Sequence, residues 1–162
     1  MQNEEVVREF FLAYKQHAYP RMHALLSPDV HFKDFAFEME GQRVFAMWQW
    51  FCTRLEPVEV PWFGNIQASG NTVTADYRVA YSYGEDKHPV NYVIKSRFVL
   101  KDGLIVEHHD NGDIHVWSRQ ALGRLASLFS WTSIFKFFIR WQARKKLDAF
   151  MEHPNRSALG AN

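Results

Sequence analysis

The feature that most constrains the fold is a long stretch of alternating residues in the middle of the chain. Val73, Ala75, Tyr77, Val79, Tyr81 and Tyr83 fall on every second position. Tyr92, Ile94, Ser96, Phe98 and Leu100 repeat the pattern after a turn at Gly84–Pro89. A period of two puts these side chains on one face of a strand and their neighbours on the other. Asp102-Gly103 marks a two-residue hairpin turn, where both central positions need positive φ. Leu104 to Asp110 is the returning strand. Successive strands with no helical stretch between them make an antiparallel sheet, and they disfavour a parallel βαβ fold.

The residues before this sheet read as helices. A first helix is predicted over Glu4–His17, with Asn3 as N-cap and Glu4 and Glu5 at the positive end of the dipole. Val7, Phe10, Phe11 and Tyr14 form its apolar face. Pro20 opens a short second helix that Ser27-Pro28-Asp29 ends. Val30–Phe35 alternates like a strand, and after Gly41 a third helix carries Val44, Met47, Trp48 and Phe51. The rest, up to about Trp117, reads as sheet. The order helix, helix, strand, helix, strands is α+β, with the N-terminal helices packed on the concave face of a curved antiparallel sheet. A length of 162 residues fits one domain with a real core. The 14 Phe, 6 Trp and 6 Tyr exceed what a minimal core needs and can line a concave apolar cavity.

Several classes are disfavoured. A single Cys52 leaves no intrachain disulfide or Cys-rich zinc site. The eight His show no H-x-x-x-H or H-E-x-x-H spacing, and neighbours His108 and His109 point to opposite strand faces, so no metal or other cofactor is expected. The start is acidic and amphipathic, unlike a secretory signal, and no long apolar window suggests a membrane span. A cytoplasmic protein is the expectation.

Two segments carry a family resemblance. Leu26-Ser27-Pro28-Asp29-Val30-His31-Phe32-Lys33-Asp34 resembles the first strand of NTF2-like (SnoaL-like) proteins, with Gly41 matching the glycine that follows it there. Lys101-Asp102-Gly103-Leu104-Ile105-Val106-Glu107-His108-His109-Asp110-Asn111-Gly112-Asp113 resembles their closing hairpin, a "dGkI" pattern followed by D-x-x-D. The resemblance covers roughly residues 3–117, and the stretch from Trp117 to Gly123 with the aromatic tail is similar to one bacterial branch. It implies a cone-shaped domain over 1–118 with a pocket between sheet and helices, and a homodimer formed through the sheet. It also implies a small apolar ligand of polyketide, steroid or terpenoid kind. Members include isomerases, cyclases and hydrolases as well as non-catalytic proteins, so the fold alone does not fix the chemistry.

Asp34 is the first candidate for that chemistry. Its parity with Val30 and Phe32 points it inward, where burial raises a carboxyl pKa and suits a general acid or base. The alternative is a carboxylate at the strand end that caps a backbone amide or meets an Arg. Asp110, the first aspartate of D-x-x-D, is the second candidate. Plain register from the Asp102-Gly103 turn pairs Leu100 with Ile105, Phe98 with Glu107 and Ser96 with His109. That places His109 inside and leaves Asp110 outside with Lys95, Arg97 and His108. A β-bulge would reverse the parity. Tyr14, on the buried face of the first helix, is a candidate hydrogen-bond donor to a substrate oxygen. Trp48, Phe51, Tyr77, Tyr92 and Phe98 are core aromatics, some of which would line any pocket the fold keeps open, and with His109 they are the candidate ligand contacts. Asp76 and Arg78 lie on the face opposite Tyr77, in the reverse of the order that the hydrolase type of the family uses, which argues against epoxide hydrolysis.

The tail is chemically distinct. Residues 1–118 hold 11 Lys+Arg against 16 Asp+Glu, whereas 119–162 hold 8 against 2. Arg119 to Leu147 contains no acid and interleaves its cations with Leu122, Leu125, Leu128, Phe129, Trp131, Ile134, Phe135, Phe137, Phe138 and Trp141. Gly123 and Ser130-Thr132-Ser133 suggest a break between two helices. Apolar residues almost all round Phe129–Trp141 favour a helix packed on the domain or on a partner subunit. A peripheral membrane contact is the sharper alternative, and no nucleic-acid motif accompanies the charge. His153–Asn162 reads as a polar, frayed end.

Overall fold

The structure, a computed structural model, describes residues 2–154. The polar end expected beyond 154 lies outside the described residues. The chain folds as α1 (Asn3–Lys15), α2 (Tyr19–His23), β1 (Leu26–Lys33), β2 (Glu38–Glu40), α3 (Gln42–Thr53), β3 (Glu59–Ser69), β4 (Thr72–Tyr83), β5 (His88–Lys101) and β6 (Leu104–Gly112). Three helices follow, α4 (Ile114–Leu122), α5 (Arg124–Ser127) and α6 (Ser133–Glu152). The strands form one curved six-stranded sheet in the order β2-β1-β6-β5-β4-β3. Every pair is antiparallel except β1–β6, which is parallel. The wholly antiparallel expectation therefore fails at that one pair, because the α2–β1 and β1–β2–α3 connections bring β1 alongside the last strand.

α1 begins one residue earlier than expected. Gln2 rather than Asn3 is the N-cap, and the Glu5 carboxylate accepts from the Gln2 N–H at 3.0 Å. The apolar face of α1 buries Val6, Val7, Phe10, Phe11 and Tyr14 against the concave side of the sheet. Val73, Ala75, Tyr77 and Val79 of β4 and Tyr92, Ile94, Ser96, Phe98 and Leu100 of β5 are buried on that side. Trp48 of α3 sits at the centre, with Phe10, Tyr14, Phe32 and Phe51 edge-on to it at 5.2–5.9 Å. Edge-to-face packing suits the ring quadrupoles and gives the core a fixed geometry.

The hairpin at Asp102-Gly103 forms as read, with both residues at positive φ. Its register does not stay simple. Leu100 pairs with Ile105, but Val99 pairs with Glu107, so Val106 is an extra residue in β6. The pairing of β1 with β6 also breaks here, between Leu26 and His31, around Pro28, which has no N–H to give a ladder. Beyond the bulge every side chain of β6 changes face. Phe98 now opposes His108, and Ser96 opposes Asp110.

β6 ends at Gly112, and Asp113 caps α4 by accepting from the His115 and Val116 N–H groups at 2.8 and 3.2 Å. The stretch up to Trp117 expected as sheet is therefore helical from Ile114, and α4 runs through position 118. Gly123, at φ +90, breaks α4 from α5. Among the described residues the tail thus holds three helices. α6 packs on the domain through Ile139, Leu147 and Phe150, with Arg43 of α3 paired to Asp148 at 2.7 Å. Phe129, Trp131, Ile134, Phe137, Phe138 and Trp141, read as packing on the domain or on a partner subunit, do not pack on the domain and are exposed on this chain. α6 has only one side in contact with the domain.

Candidate functional site

Helices and sheet do not fill the space between them. A cavity of about 620 Å³ remains, lined by residues of α1, α3, the strands, α4 and α6. Most of its wall is apolar and aromatic, including Phe32, Trp48, Phe51, Val79, Ile94 and Ile139. Tyr14, Tyr77 and Tyr92 line it as well, as do Trp48 and Phe51. Phe98 is fully buried behind the wall and does not line it. His109, placed inside by the plain register, points outward to solvent because of the bulge at Val106.

The same bulge turns Asp110 inward. Its carboxylate is 5% exposed and lies on the cavity wall. The Tyr77 hydroxyl donates to Oδ2 at 2.6 Å, His108 Nε2 lies 2.8 Å from Oδ1, and the Ser96 hydroxyl donates to Oδ1 as well. Burial alone would raise its pKa. The His108 charge and hydrogen bond, with those of Ser96 and Tyr77, outweigh that and hold it below the usual carboxylate value. The His108 ring is stacked on Trp48 at 5.5 Å and lies 4.1 Å from Phe98. Its Nδ1 is buried without a partner, and the ring is fixed by aromatics on both sides.

Asp34 follows β1 directly and caps backbone amides, as one of its sequence readings has it, while also reaching the cavity. Its Oδ1 accepts from the Ala36 and Phe37 N–H groups at 2.7 and 2.5 Å, closing the turn into β2. It also lines the cavity. Burial pushes its pKa up to about 7, the Phe37 and Ala36 amides opposing and the Asp110 charge reinforcing the rise. One wall thus carries two carboxylates driven in opposite directions.

The phenols hold their protons. Burial raises Tyr14, Tyr77, Tyr81 and Tyr92 above the ordinary tyrosine value, so each is a neutral O–H donor. Tyr81 accepts from Trp117 Nε1 at 2.7 Å, which ties α4 to the wall. At the rim, Gln142 and Lys146 of α6 face Tyr83, the Tyr83 hydroxyl donating to Gln142 Oε1 at 3.2 Å and Lys146 Nζ standing 5.0 Å over the ring. Arg54 donates to the Ser82 carbonyl at 3.3 Å. Asp76 and Arg78 are on the outer face, bonded to Asn65 and Asn91. No group of three or more His, Cys, Asp or Glu that could hold a metal ion converges among the described residues.

His108, Ser96, Tyr81 and Trp117 are site residues that sequence reasoning does not single out. Ser96 lies on the face that the alternation of β5 already assigns inward, whereas His108 joins it only through the bulge at Val106. For Trp117 no local signal exists, because its role depends on where α4 docks.

A curved sheet with helices over its concave side and an apolar cavity between them defines an α+β cone. The chain belongs to the SnoaL-like domain family, whose model matches residues 7–108. Its fold is similar to that of a proposed polyketide cyclase from Pseudomonas putida KT2440, at 18% identity and TM-score 0.63, over 75% of this chain and 98% of that one. An LEH-like epoxide hydrolase of M. tuberculosis is similar at 22% identity and TM-score 0.64, over 78% and 93%. So is a protein with a ketosteroid isomerase-like fold from Catenulispora acidiphila, in complex with trimethylamine, at 16% and 0.62, over 72% and 92%. At such identities the likeness is one of fold. No curated protein matches the chain in sequence.

Proposed function

We propose that the protein binds a small, mostly apolar molecule of polyketide-, steroid- or terpenoid-like character in the cone and moves a proton on it. The observation that carries this reading is the pair of carboxylates with opposed pKa shifts on one wall of an apolar cavity. Pairs of titratable groups pushed apart by their surroundings are how one site supplies both a proton carrier and a fixed charge.

Asp34, at about 7, changes protonation near neutral pH and suits a general acid–base role. Asp110 is a poor base, since three donors already occupy its oxygens. Its work is to hold a negative charge at the wall and to fix the Tyr77 hydroxyl. Tyr14 and Tyr92, with their protons retained on the cavity wall, would donate to a ligand oxygen on which charge develops. This chemistry fits proton transfer beside a carbonyl, as in isomerisation or ring closure. The P. putida neighbour's name as a proposed polyketide cyclase is consistent with it. A homodimer would use the outer sheet face, where Val93, Arg97, Glu107 and His109 are exposed.

The test uses one aromatic polyketide, one keto-steroid and one cyclic terpenoid ketone. Each is titrated by tryptophan fluorescence, then incubated with the protein in D₂O and weighed for deuterium uptake beside the carbonyl. At least one class should bind, and Val79→Phe, which narrows the cavity, should weaken binding. Asp34→Asn should keep binding and lose at least about a hundredfold in exchange rate. Binding without exchange makes the cone a carrier. Binding unchanged by Val79→Phe, or no binding by any class, overturns the reading.

A further inference from the structure

α6 has two different sides. One turns Ile139, Leu147 and Phe150 into the protein and lends Gln142, Ala143 and Lys146 to the cavity wall. The other carries Ile134, Phe137, Phe138 and Trp141 at i, i+3, i+4 and i+7. All four are exposed, Ile134 by 83% and Phe137 by 71%. α5 and the turn before α6 expose Leu125, Leu128, Phe129 and Trp131, the last by 76%. Isolated apolar residues on a surface need no explanation, but a continuous stripe of large ones marks a surface that meets an apolar phase.

The charges around this stripe narrow the choice of partner. Lys136 and Arg144 stand along one flank, Arg140 between them is held to the Phe35 carbonyl at 3.2 Å, and Lys145 Nζ lies 4.3 Å over the Trp141 ring. No Asp or Glu occurs from Arg119 to Leu147. A second copy of the chain would bring this cationic face against itself, which like charges oppose. An anionic bilayer satisfies both the rings and the cations. No helix among the described residues is long and apolar enough to cross a membrane, so the contact is with the interface.

We propose that the outer face of α5–α6 docks on an anionic phospholipid bilayer, with the aromatic rings at the headgroup–acyl boundary and the basic flank over the phosphates. The docking side and the cavity-lining side belong to the same helix, so the docked protein holds its cone against the lipid surface. This docking does not depend on what the cone binds or turns over.

Full-length protein is co-sedimented with vesicles of phosphatidylcholine alone and of phosphatidylcholine with phosphatidylglycerol, across a salt series. The bound fraction should rise with phosphatidylglycerol and fall with salt. Phe137→Ser with Trp141→Ser should weaken partitioning at least about tenfold. Lys136→Glu with Arg144→Glu should abolish the dependence on phosphatidylglycerol. All four positions are exposed, so these variants should melt with the wild type. Wild type that stays in the supernatant with both vesicles, or serine variants that bind as it does, overturns the proposal. A dimer dissolved by the serine pair, with no vesicle binding, assigns the face to a second copy and overturns it equally.

Discussion

Replacing Asp34 by asparagine removes a titrating group from the cavity wall while keeping an oxygen to accept from the Ala36 and Phe37 amides. The carboxyl rises from 3.8 to about 7 on folding, so the folded protein binds this proton more tightly than the unfolded chain does. Folded stability is therefore lost as pH climbs from about 4 to about 7, and above 7 the cone carries the whole cost of the charged form. At 1.36 kcal/mol per pH unit the full shift amounts to about 4 kcal/mol. Asp34 is only half-buried and open to the cavity, so screening reduces the effect to about 2 kcal/mol. The carboxamide of Asp34→Asn is neutral at every pH and escapes this cost. The variant should match wild type near pH 3 and exceed it at pH 8 by about 2 kcal/mol, or about 4–8 °C in Tm. Urea denaturation followed by tryptophan fluorescence at intervals between those pH values measures the gap. A gap that stays constant with pH, or that turns against the variant as pH rises, would refute the reasoning, since the carboxylate would then be held by a cation rather than desolvated.

Other positions give sharper local tests. A Cβ at Gly112 would stand 2.9 Å from Tyr92 Cε2 and 3.3 Å from its hydroxyl, so Gly112→Ala should cost about 1–3 kcal/mol in thermal denaturation and weaken ligand binding by moving Tyr92. Asp113→Ala removes the acceptor for two α4 amides and should cost about 1 kcal/mol, with Trp117 released from Tyr81 as a change in tryptophan emission. Burial pushes the Cys52 thiol up to about 12, so a thiol reagent at pH 8 should leave native protein unlabelled and react only after urea is added.

The parts of the fold set by local periodicity are legible in the sequence. The alternation of Val73–Tyr83 and Tyr92–Leu100 assigns both faces of β4 and β5, and Asp102-Gly103 places the turn. Asp34 reads both as a pocket carboxylate and as a backbone cap, and its two oxygens and its position let it serve as both. What escapes lies where one residue changes parity or where distant elements meet. The bulge at Val106 sends His108 and Asp110 in and His109 out. It follows from sheet curvature and from the break at Pro28, which no local pattern in β6 states fully. The short strand β2 exists only as a partner of β1, so three residues of sequence cannot announce it. The tail's apolar residues have the same composition whether packed or exposed, and only the docking of α6 through Ile139, Leu147 and Phe150 decides between them.

The opposed states of Asp34 and Asp110 are the centre of the account, and carboxyl ¹³C NMR of labelled aspartate reads them directly. Between pH 4.5 and 9 one resonance should titrate near 7 and vanish in Asp34→Asn, while another stays ionised throughout and vanishes in Asp110→Asn. If the Asp34 resonance is already ionised at pH 5, or if Asp110 is the one that titrates near neutrality, the cone does not hold the acid–base pair described.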